Sequence, residues 1–511
     1  MPQNLERLQA IVTDPTLSLA QKARFLSLEA ENMLPYPETH AETAQALADG
    51  ILCDLAEGHA PYKPRYVLPD LSVLLTKGSE YLELDPPETL DEAINCLMIA
   101  FHHVPSVTAM PVFIGHIDRL LLPYCDGVGE TELIGKIRLL WRYIDRVLPD
   151  AFLHANIGPH DNRVARAVLQ VDRELQQVAP NLTLLYDPEL TGEDLLRLAT
   201  DNIVACSKPH IANHPLHAAA FDERGYGIVS CYNALPAAGG AGTLVRLNLH
   251  EVARRARGID DFLKRALPHF MDLQFRLIQA RMDYLFEQSG FFDNFIVKEG
   301  WIERDRFTAM FGVYGMAEAV DHLMGLDNST ARYGRDAEAN TLGYRISEAM
   351  AARVEATPVR HAWRERALLH AQAGISTDLE ATPGVRIPYG AEPDPVSHVK
   401  ALAPHHAFYP AGISEILTID ETVKANPQAL YRLCKGALAS GFREFTANVA
   451  GNDLVRVTGY MIRLSDVEKY RREEGSRINT TGLGAEAAEL TGILDRKPRV
   501  IAHEYAPGYG Q

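Results

Sequence analysis

The sequence predicts an α/β protein. Beyond an N-terminal stretch of helical spacing, short apolar runs alternate with longer amphipathic ones, as strands and helices do when they take turns along a chain. Composition agrees, since 47% apolar and 23% charged residues over 511 positions suit a large core and exclude disordered, collagen-like and coiled-coil architectures. At this length the expectation is about three domains, or a single α/β barrel with insertions.

The first 100 or so residues read as helices, with Leu5, Leu8, Ile11 and Val12 at helical spacing and Pro/Tyr-rich connections such as LPYPETH and HAPYKPRYVLPD between them. Strands are then expected at 183–187, 226–231, 294–300, 384–390, 442–449 and 454–464. The longest helical region runs from about Asp260 to Ser289, with a kink predicted at Pro268, and a second helix spans about Asp336 to Glu355. Glycines and prolines concentrate between Gly374 and Pro404, where a soft boundary is placed. Near the end, Pro427 opens a helix that stops at Gly441, FREFTANV is a strand, Asn452-Asp453 a turn and LVRVTGYMIRL the next strand. Ser465-x-x-Glu468 then reads as a capping box for a charged helix. Gly459 falls inside that second strand, where glycine marks a bulge or a close approach.

Charge and cysteine usage narrow the function classes. A net charge of −17 is the wrong sign for a general binder of nucleic acid or of an anionic membrane. No basic-then-apolar leader opens the chain, so a cytoplasmic protein is expected. The one long uncharged stretch, Gly225 to Val245, contains Pro236, Asn233 and five glycines, which rules out a membrane helix. Six scattered cysteines without a Cys-x-x-Cys pair exclude a disulfide framework and a four-cysteine zinc ribbon, and suit a reducing compartment.

Two short segments carry the chemistry. Val455-Arg456-Val457-Thr458-Gly459-Tyr460 resembles the signature of the glycyl radical enzymes, with Thr458 in place of the usual Ser, Ala or Cys. Only glycine lets a radical at Cα become planar and delocalise into the flanking amides without a Cβ clash. Ser230-Cys231-Tyr232-Asn233-Ala234-Leu235-Pro236 is similar to the cysteine finger loop of the same superfamily. Alone, Cys231 reads better as a small buried hydrophobe; paired with Gly459 it reads as the thiol of a radical relay, and the uncharged stretch Gly225–Val245 suits such chemistry. Residues 242–249 and 311–319 are similar to segments that follow the cysteine in anaerobic ribonucleotide reductases. The whole pattern is most like the YjjI-type branch.

That resemblance implies a ten-stranded α/β barrel with inner cysteine and glycine finger loops, surrounded by helices. It divides the chain into a helical region at 1–100, the barrel core with the cysteine loop at 101–425, and a glycyl radical domain with its tail at 426–511. It also implies a radical stored on Gly459 and transferred through Cys231, loop support from Arg456, Val457, Thr458 and Tyr460, and a homodimer. Activation would come from a separate enzyme carrying S-adenosylmethionine and an iron–sulfur cluster, with no organic cofactor or metal in this chain. Each familiar activity lacks a piece. Tyr232 stands where pyruvate formate-lyase has a second cysteine, Asn233 where dehydratases carry a glutamate, and only Cys434 lies where the reductases have four zinc cysteines. A lyase or eliminase acting on a small polar metabolite is expected, with His214, His217 and Asn233 as pocket candidates.

The alternatives are a ribonucleotide-reductase-like enzyme, a closed-shell enzyme in which a histidine activates Cys231 as nucleophile, and a donor of a spare radical domain. The last would need only a short C-terminal piece. Cys206, His210, His214 and His217 have the look of a metal cluster, but Pro209 and Pro215 break any shared helical face and no metal is expected. Gly239–Gly242 reads as a flexible loop or an anion-binding nest.

Overall fold

The computed structural model describes residues 2–55, 62–105, 111–371, 381–413 and 415–501. Its strands, in chain order, are β1 (Leu52–Asp54), β2 (Tyr66–Leu68), β3 (Phe113–His116), β4 (His154–Ile157), β5 (Asn181–Tyr186), β6 (His210–Asn213), β7 (Tyr226–Val229), β8 (Asn233–Pro236), β9 (Gly239–Asn248), β10 (Phe307–Tyr314), β11 (Ala367–His370), β12 (Ile416–Ile419), β13 (Glu444–Val449), β14 (Leu454–Arg456) and β15 (Met461–Arg463). They form a five-stranded sheet, β1-β9-β10-β11 with β2 also on β9, and a six-stranded sheet, β12-β13-β6-β5-β4-β3. Two antiparallel hairpins, β7-β8 and β14-β15, belong to neither.

The fold is α/β, as the alternation predicts. Side chains along each strand divide by parity. Val245, Leu247, Phe311, Val313, Leu182, Leu184, Phe445 and Ala447 join the large core shared with the helices. Leu244, Met310 and Phe113 face the other way, into a separate cluster that holds Cys231, Val457 and Tyr460. That inner face carries buried polar residues at His154, Asn156, Asn181, Thr183, His210, Glu444 and Asn448. Buried polar groups are kept where they bond something, and here most of them bond the two hairpins.

Several expectations need correction. Two strands, β1 and β2, lie in the N-terminal stretch read as helical, because their backbones complete the edge of β9. Residues 294–300 hold a helical turn, Phe295–Lys298, opened by the Asn294 side chain accepting from the Ile296 N–H, rather than a strand. Residues 384–390 form no strand. The predicted kink at Pro268 is a π-helical turn at Phe262–Ala266, and the proline sits in the first turn of the helix Leu267–Glu287 that follows. Gly239–Gly242 is neither loop nor nest but the start of β9. A Cβ at Gly240 would lie 1.9 Å from the Tyr66 carbonyl oxygen and one at Gly239 2.1 Å from that of Arg306, so close strand packing demands the glycines.

The stretch 454–464, read as one strand, is a hairpin: Val455 pairs with Ile462, and the Val457 N–H donates to the Tyr460 carbonyl (3.1 Å) to close its tip. The predicted capping box does not form either. Asp453, across the hairpin, takes the Ser465 N–H (2.9 Å) and hydroxyl (2.8 Å) at the start of the helix Leu464–Arg471. Helices at Ala337–Ala356 and Pro427–Ala439 match expectation. Among the described residues no helix is long and apolar enough to cross a membrane. The last residues of the tail, 502–511, and part of the Gly374–Pro404 stretch lie outside the described residues.

Candidate active site

Cys231 sits at the tip of the β7-β8 hairpin, between Ser230 (φ +50°) and Tyr232 (φ +60°). Two non-glycine neighbours in the left-handed region cost about 1–3 kcal/mol each, strain that persists only where the surroundings impose it. The six-stranded sheet supplies that constraint. Asn156 on β4 reads the hairpin like a neighbouring strand, its Nδ2 donating to the Ile228 carbonyl (2.8 Å) and its Oδ1 accepting from the Ile228 N–H (2.8 Å).

The β14-β15 hairpin is held the same way. Asn448 on β13 donates to the Arg456 carbonyl (2.9 Å) and accepts from the Arg456 N–H (2.8 Å). Arg456 is fully buried, with Nε and Nη2 on the Ser207 carbonyl (3.2 and 2.9 Å) and Nη1 on Asn181 Oδ1 (3.2 Å) and the Tyr232 hydroxyl. Asn181 Nδ2 donates to the Gly459 carbonyl. One guanidinium thus joins both fingers to the sheet.

At the tips the fingers touch. A Cβ built on Gly459 would lie 1.9 Å from Cys231 Cα and 2.9 Å from Cys231 Cβ, so no side chain fits there. Thr458 Oγ1 is 3.3 Å from Cys231 Sγ, and Ser230 Oγ is 3.8 Å away. Val457 and Tyr460 are buried in the same cluster, with the Tyr460 ring 4.7 Å from that of Phe152.

Behind Tyr232 runs a chain of hydrogen bonds whose polarity is fixed by its first acceptor. The Ser230 carbonyl accepts from His154 Nδ1–H (3.3 Å), so His154 Nε2 accepts from the Thr183 hydroxyl (2.6 Å). Thr183 Oγ1 in turn accepts from His210 Nδ1–H (2.9 Å). Burial, reinforced by Arg456, holds His154 down to about 3 and His210 well below the usual imidazole range, so both are neutral. His210 stacks on Tyr232 at 3.8 Å and turns Nε2 toward Glu444 (3.9 Å), which His217 Nε2 also approaches (3.5 Å). Burial, only partly opposed by Arg443 and the Ile413 N–H, raises the Glu444 carboxyl well above its usual range and keeps it protonated.

The structure therefore brings Gly459, Cys231, Arg456, Val457, Thr458 and Tyr460 together. It does not bring the expected pocket side chains to the Cys231 sulfur. Asn233 bonds back to the Val229 carbonyl (3.1 Å) across its own hairpin, and His217 faces Glu444. His214 bonds the Tyr226 hydroxyl (2.9 Å) and lines a cavity of about 370 Å³ at the base of the cysteine hairpin. Cys206 donates to the Asn202 carbonyl (3.3 Å) rather than joining the three histidines. Among the described residues the one set spaced for a metal ion is Asp283, Glu287 and His361, away from the fingers. Sequence reasoning misses Asn156, Asn181, Asn448, His154, Thr183 and Glu444; their only local signal is a polar residue at alternate positions of an apolar strand.

Residues 17–499 match the family described as glycyl radical enzyme YjjI-like. The chain is 58% identical over 507 residues to a protein of Escherichia coli (strain K12) named YjjI, covering 99% of this chain and 98% of that one. Its fold is similar to that of the hydroxyproline dehydratase HypD from Clostridioides difficile, with a TM-score of 0.73 at 11% identity, over 97% of this chain and 88% of that one. It is also similar to the anaerobic ribonucleotide reductase of Thermotoga maritima, with a TM-score of 0.66 at 14% identity, over 93% and 90% of the two chains.

Proposed function

Because the chain belongs to the YjjI-like glycyl radical enzymes, we propose that Gly459 stores the radical and Cys231 relays it to substrate. The observation that carries this reading is the contact between the fingers, with Gly459 packed against the Cys231 backbone so closely that no side chain fits. In the forward step the Cys231 S–H bond breaks homolytically, its hydrogen goes to the Gly459 Cα radical, and a thiyl radical remains. The thiyl takes a hydrogen from a substrate carbon, and after rearrangement the product radical takes it back. The burial of both finger tips keeps water from intercepting these species. The residues beside Sγ are Thr458 and Ser230, hydroxyls and not a base, which speaks against the closed-shell nucleophile.

The favoured reaction is a lyase or eliminase step on a small polar metabolite. Tyr232, stacked on His210, occupies the place of a second cysteine, which disfavours acyl transfer. Cys434, fully buried in the helix Pro427–Ala439, stands alone where zinc cysteines would be needed for nucleotide reduction. The protein would work as a cytoplasmic homodimer armed by a separate activase with S-adenosylmethionine and an iron–sulfur cluster.

After anaerobic activation, electron paramagnetic resonance should show a doublet from the one remaining α-hydrogen, and air should cleave the chain at Gly459. Gly459→Ala should give neither, whereas Cys231→Ala should keep the doublet and lose turnover of a metabolite pool followed by mass spectrometry. A doublet and cleavage that persist in Gly459→Ala would move the radical elsewhere. Deoxynucleotide products, or formate from pyruvate and coenzyme A, would sink the lyase assignment.

A further inference from the structure

The five-stranded sheet carries a row of residues that no finger uses. The strand register sets Cys53 opposite Arg246, Arg246 opposite Gly312, and Gly312 opposite His370, so all four share one face at one level. That face is the inner one, since Leu244 and Met310, two residues earlier, pack in the cluster that contains Cys231. Gly312 makes room for its neighbour, as a Cβ there would lie 2.6 Å from Arg246 Cγ. The Arg246 guanidinium spans the row, 4.6 Å over the Tyr314 ring, with Nη2 3.4 Å from Cys53 Sγ.

His370 closes the row beside the cysteine finger. A Cβ on Gly412 would lie 2.4 Å from the Tyr232 carbonyl oxygen and 3.3 Å from His370 Cδ2, so the imidazole and the backbone next to Cys231 flank the same glycine. His370 is completely buried, yet among the described residues neither ring nitrogen has a hydrogen-bond partner of ordinary geometry. Burial first, then Arg246, Arg65 and Arg386, hold its pKa down to about 3, so the ring is neutral. All three arginines are buried.

We propose that this row is the substrate's anchor: Arg246 holds an oxyanion, and the His370 imidazole holds a hydroxyl on a neighbouring carbon. Arginines take carboxylate and phosphate through paired N–H donors, and a neutral imidazole both donates to and accepts from a hydroxyl. The substrate class is a small hydroxylated oxyanion, held by the sheet so that its C–H bond faces Cys231. This rests on the radical reading for the chemistry but not for the binding.

The test uses the full-length, unactivated protein and three probes on one carbon skeleton: glycerol, glycerate and glycerol 3-phosphate. Calorimetry should show at least one of the two anions binding about tenfold or more tighter than glycerol. Which anion it is separates a carboxylate from a phosphate substrate. Arg246→Gln should reduce that anion to the level of glycerol, Arg246→Lys should keep part of the preference, and Arg254→Gln, at the exposed end of the helix Leu249–Ala253, should keep all of it. Absence of an anion preference in the wild type, including failure of both anions to bind, overturns the proposal, and so does a preference that survives Arg246→Gln. The wild-type comparison needs no variant to fold. The same preparation, activated, reports the glycyl doublet: a doublet without anion preference sinks the anchor alone, and an anion preference without a doublet sinks the radical reading alone.

Discussion

Gly459 does not adopt the left-handed angles that usually explain a glycine; what excludes a side chain there is the Cys231 backbone. The residue is legible in the sequence because the radical-bearing position we propose and a position without room for Cβ ask for the same amino acid. Cys231 is legible through the uncharged stretch around it. Glu444 is not, because its meaning comes from His210 and His217, more than 220 positions earlier in the chain. Its raised pKa makes a prediction with a definite sign. The native state binds the proton more tightly than the unfolded chain, so this contribution to stability is complete below the ordinary value of 4.5 and is lost as pH rises toward the native pKa. Glu444→Gln removes that dependence. Denaturant unfolding across this range should find the variant gaining on the wild type as pH rises, and within about 1 kcal/mol of it at neutral pH. A neutral-pH loss of several kcal/mol would mean that Glu444 is an ionised partner of Arg443 instead.

The hairpins show how far local pattern reaches. FREFTANV and YGIVSC read correctly because alternation and bordering turns mark a strand wherever it ends up. The continuous strand at 454–464 is a misreading, since nothing in VRVTGYM announces that Val457 and Tyr460 close a turn. The apolar trio Phe295-Ile296-Val297 looks like a strand and is a helical turn set by the Asn294 cap. Least visible are the asparagine clamps, because an amide becomes a substitute strand only once register has placed a hairpin against it. Asn448→Ala tests the clamp directly. It leaves the buried Arg456 N–H and carbonyl without partners, a loss of about 2 kcal/mol or more. Amide exchange at 454–463 should therefore speed by about thirtyfold while strands β4 and β5 stay protected. Equal exchange in variant and wild type would show that Arg456 alone holds the hairpin.

Across the whole chain, the class and the central pairing of two fingers are legible in the sequence, but the arrangement that follows Gly459 is not. Residues 481–496 return to β12, where Arg496 bonds Glu415 Oε1 (2.8 Å) and the carbonyls of Ile416 (2.7 Å) and Ile387 (2.8 Å). Burial would raise the Glu415 carboxyl, but Arg496 and His398 outweigh it and hold it below its ordinary range. This contribution is present above the ordinary value of 4.5 and lost as pH falls through the native pKa, opposite in sign to that of Glu444. Glu415→Gln should cost about 3 kcal/mol at neutral pH, because it removes the buried carboxylate and leaves Arg496 with Glu392 as its remaining ion-pair partner. Unfolding midpoints that match the wild type at neutral pH would show the tail to be anchored elsewhere. On the radical reading we propose, the sealing of Gly459 has a consequence for the tempo at which such a molecule is armed. Anything that withdraws its α-hydrogen has to meet an atom the closed fold conceals, and the hairpin that bears it pairs with no strand beyond itself. The rate of arming then follows the small fraction of molecules in which that hairpin is undocked, while survival in air follows the remainder. Every bond from Arg456 and Asn448 moves both quantities in opposite directions, so a longer-lived radical and a quicker start are alternatives between which this sequence has already chosen.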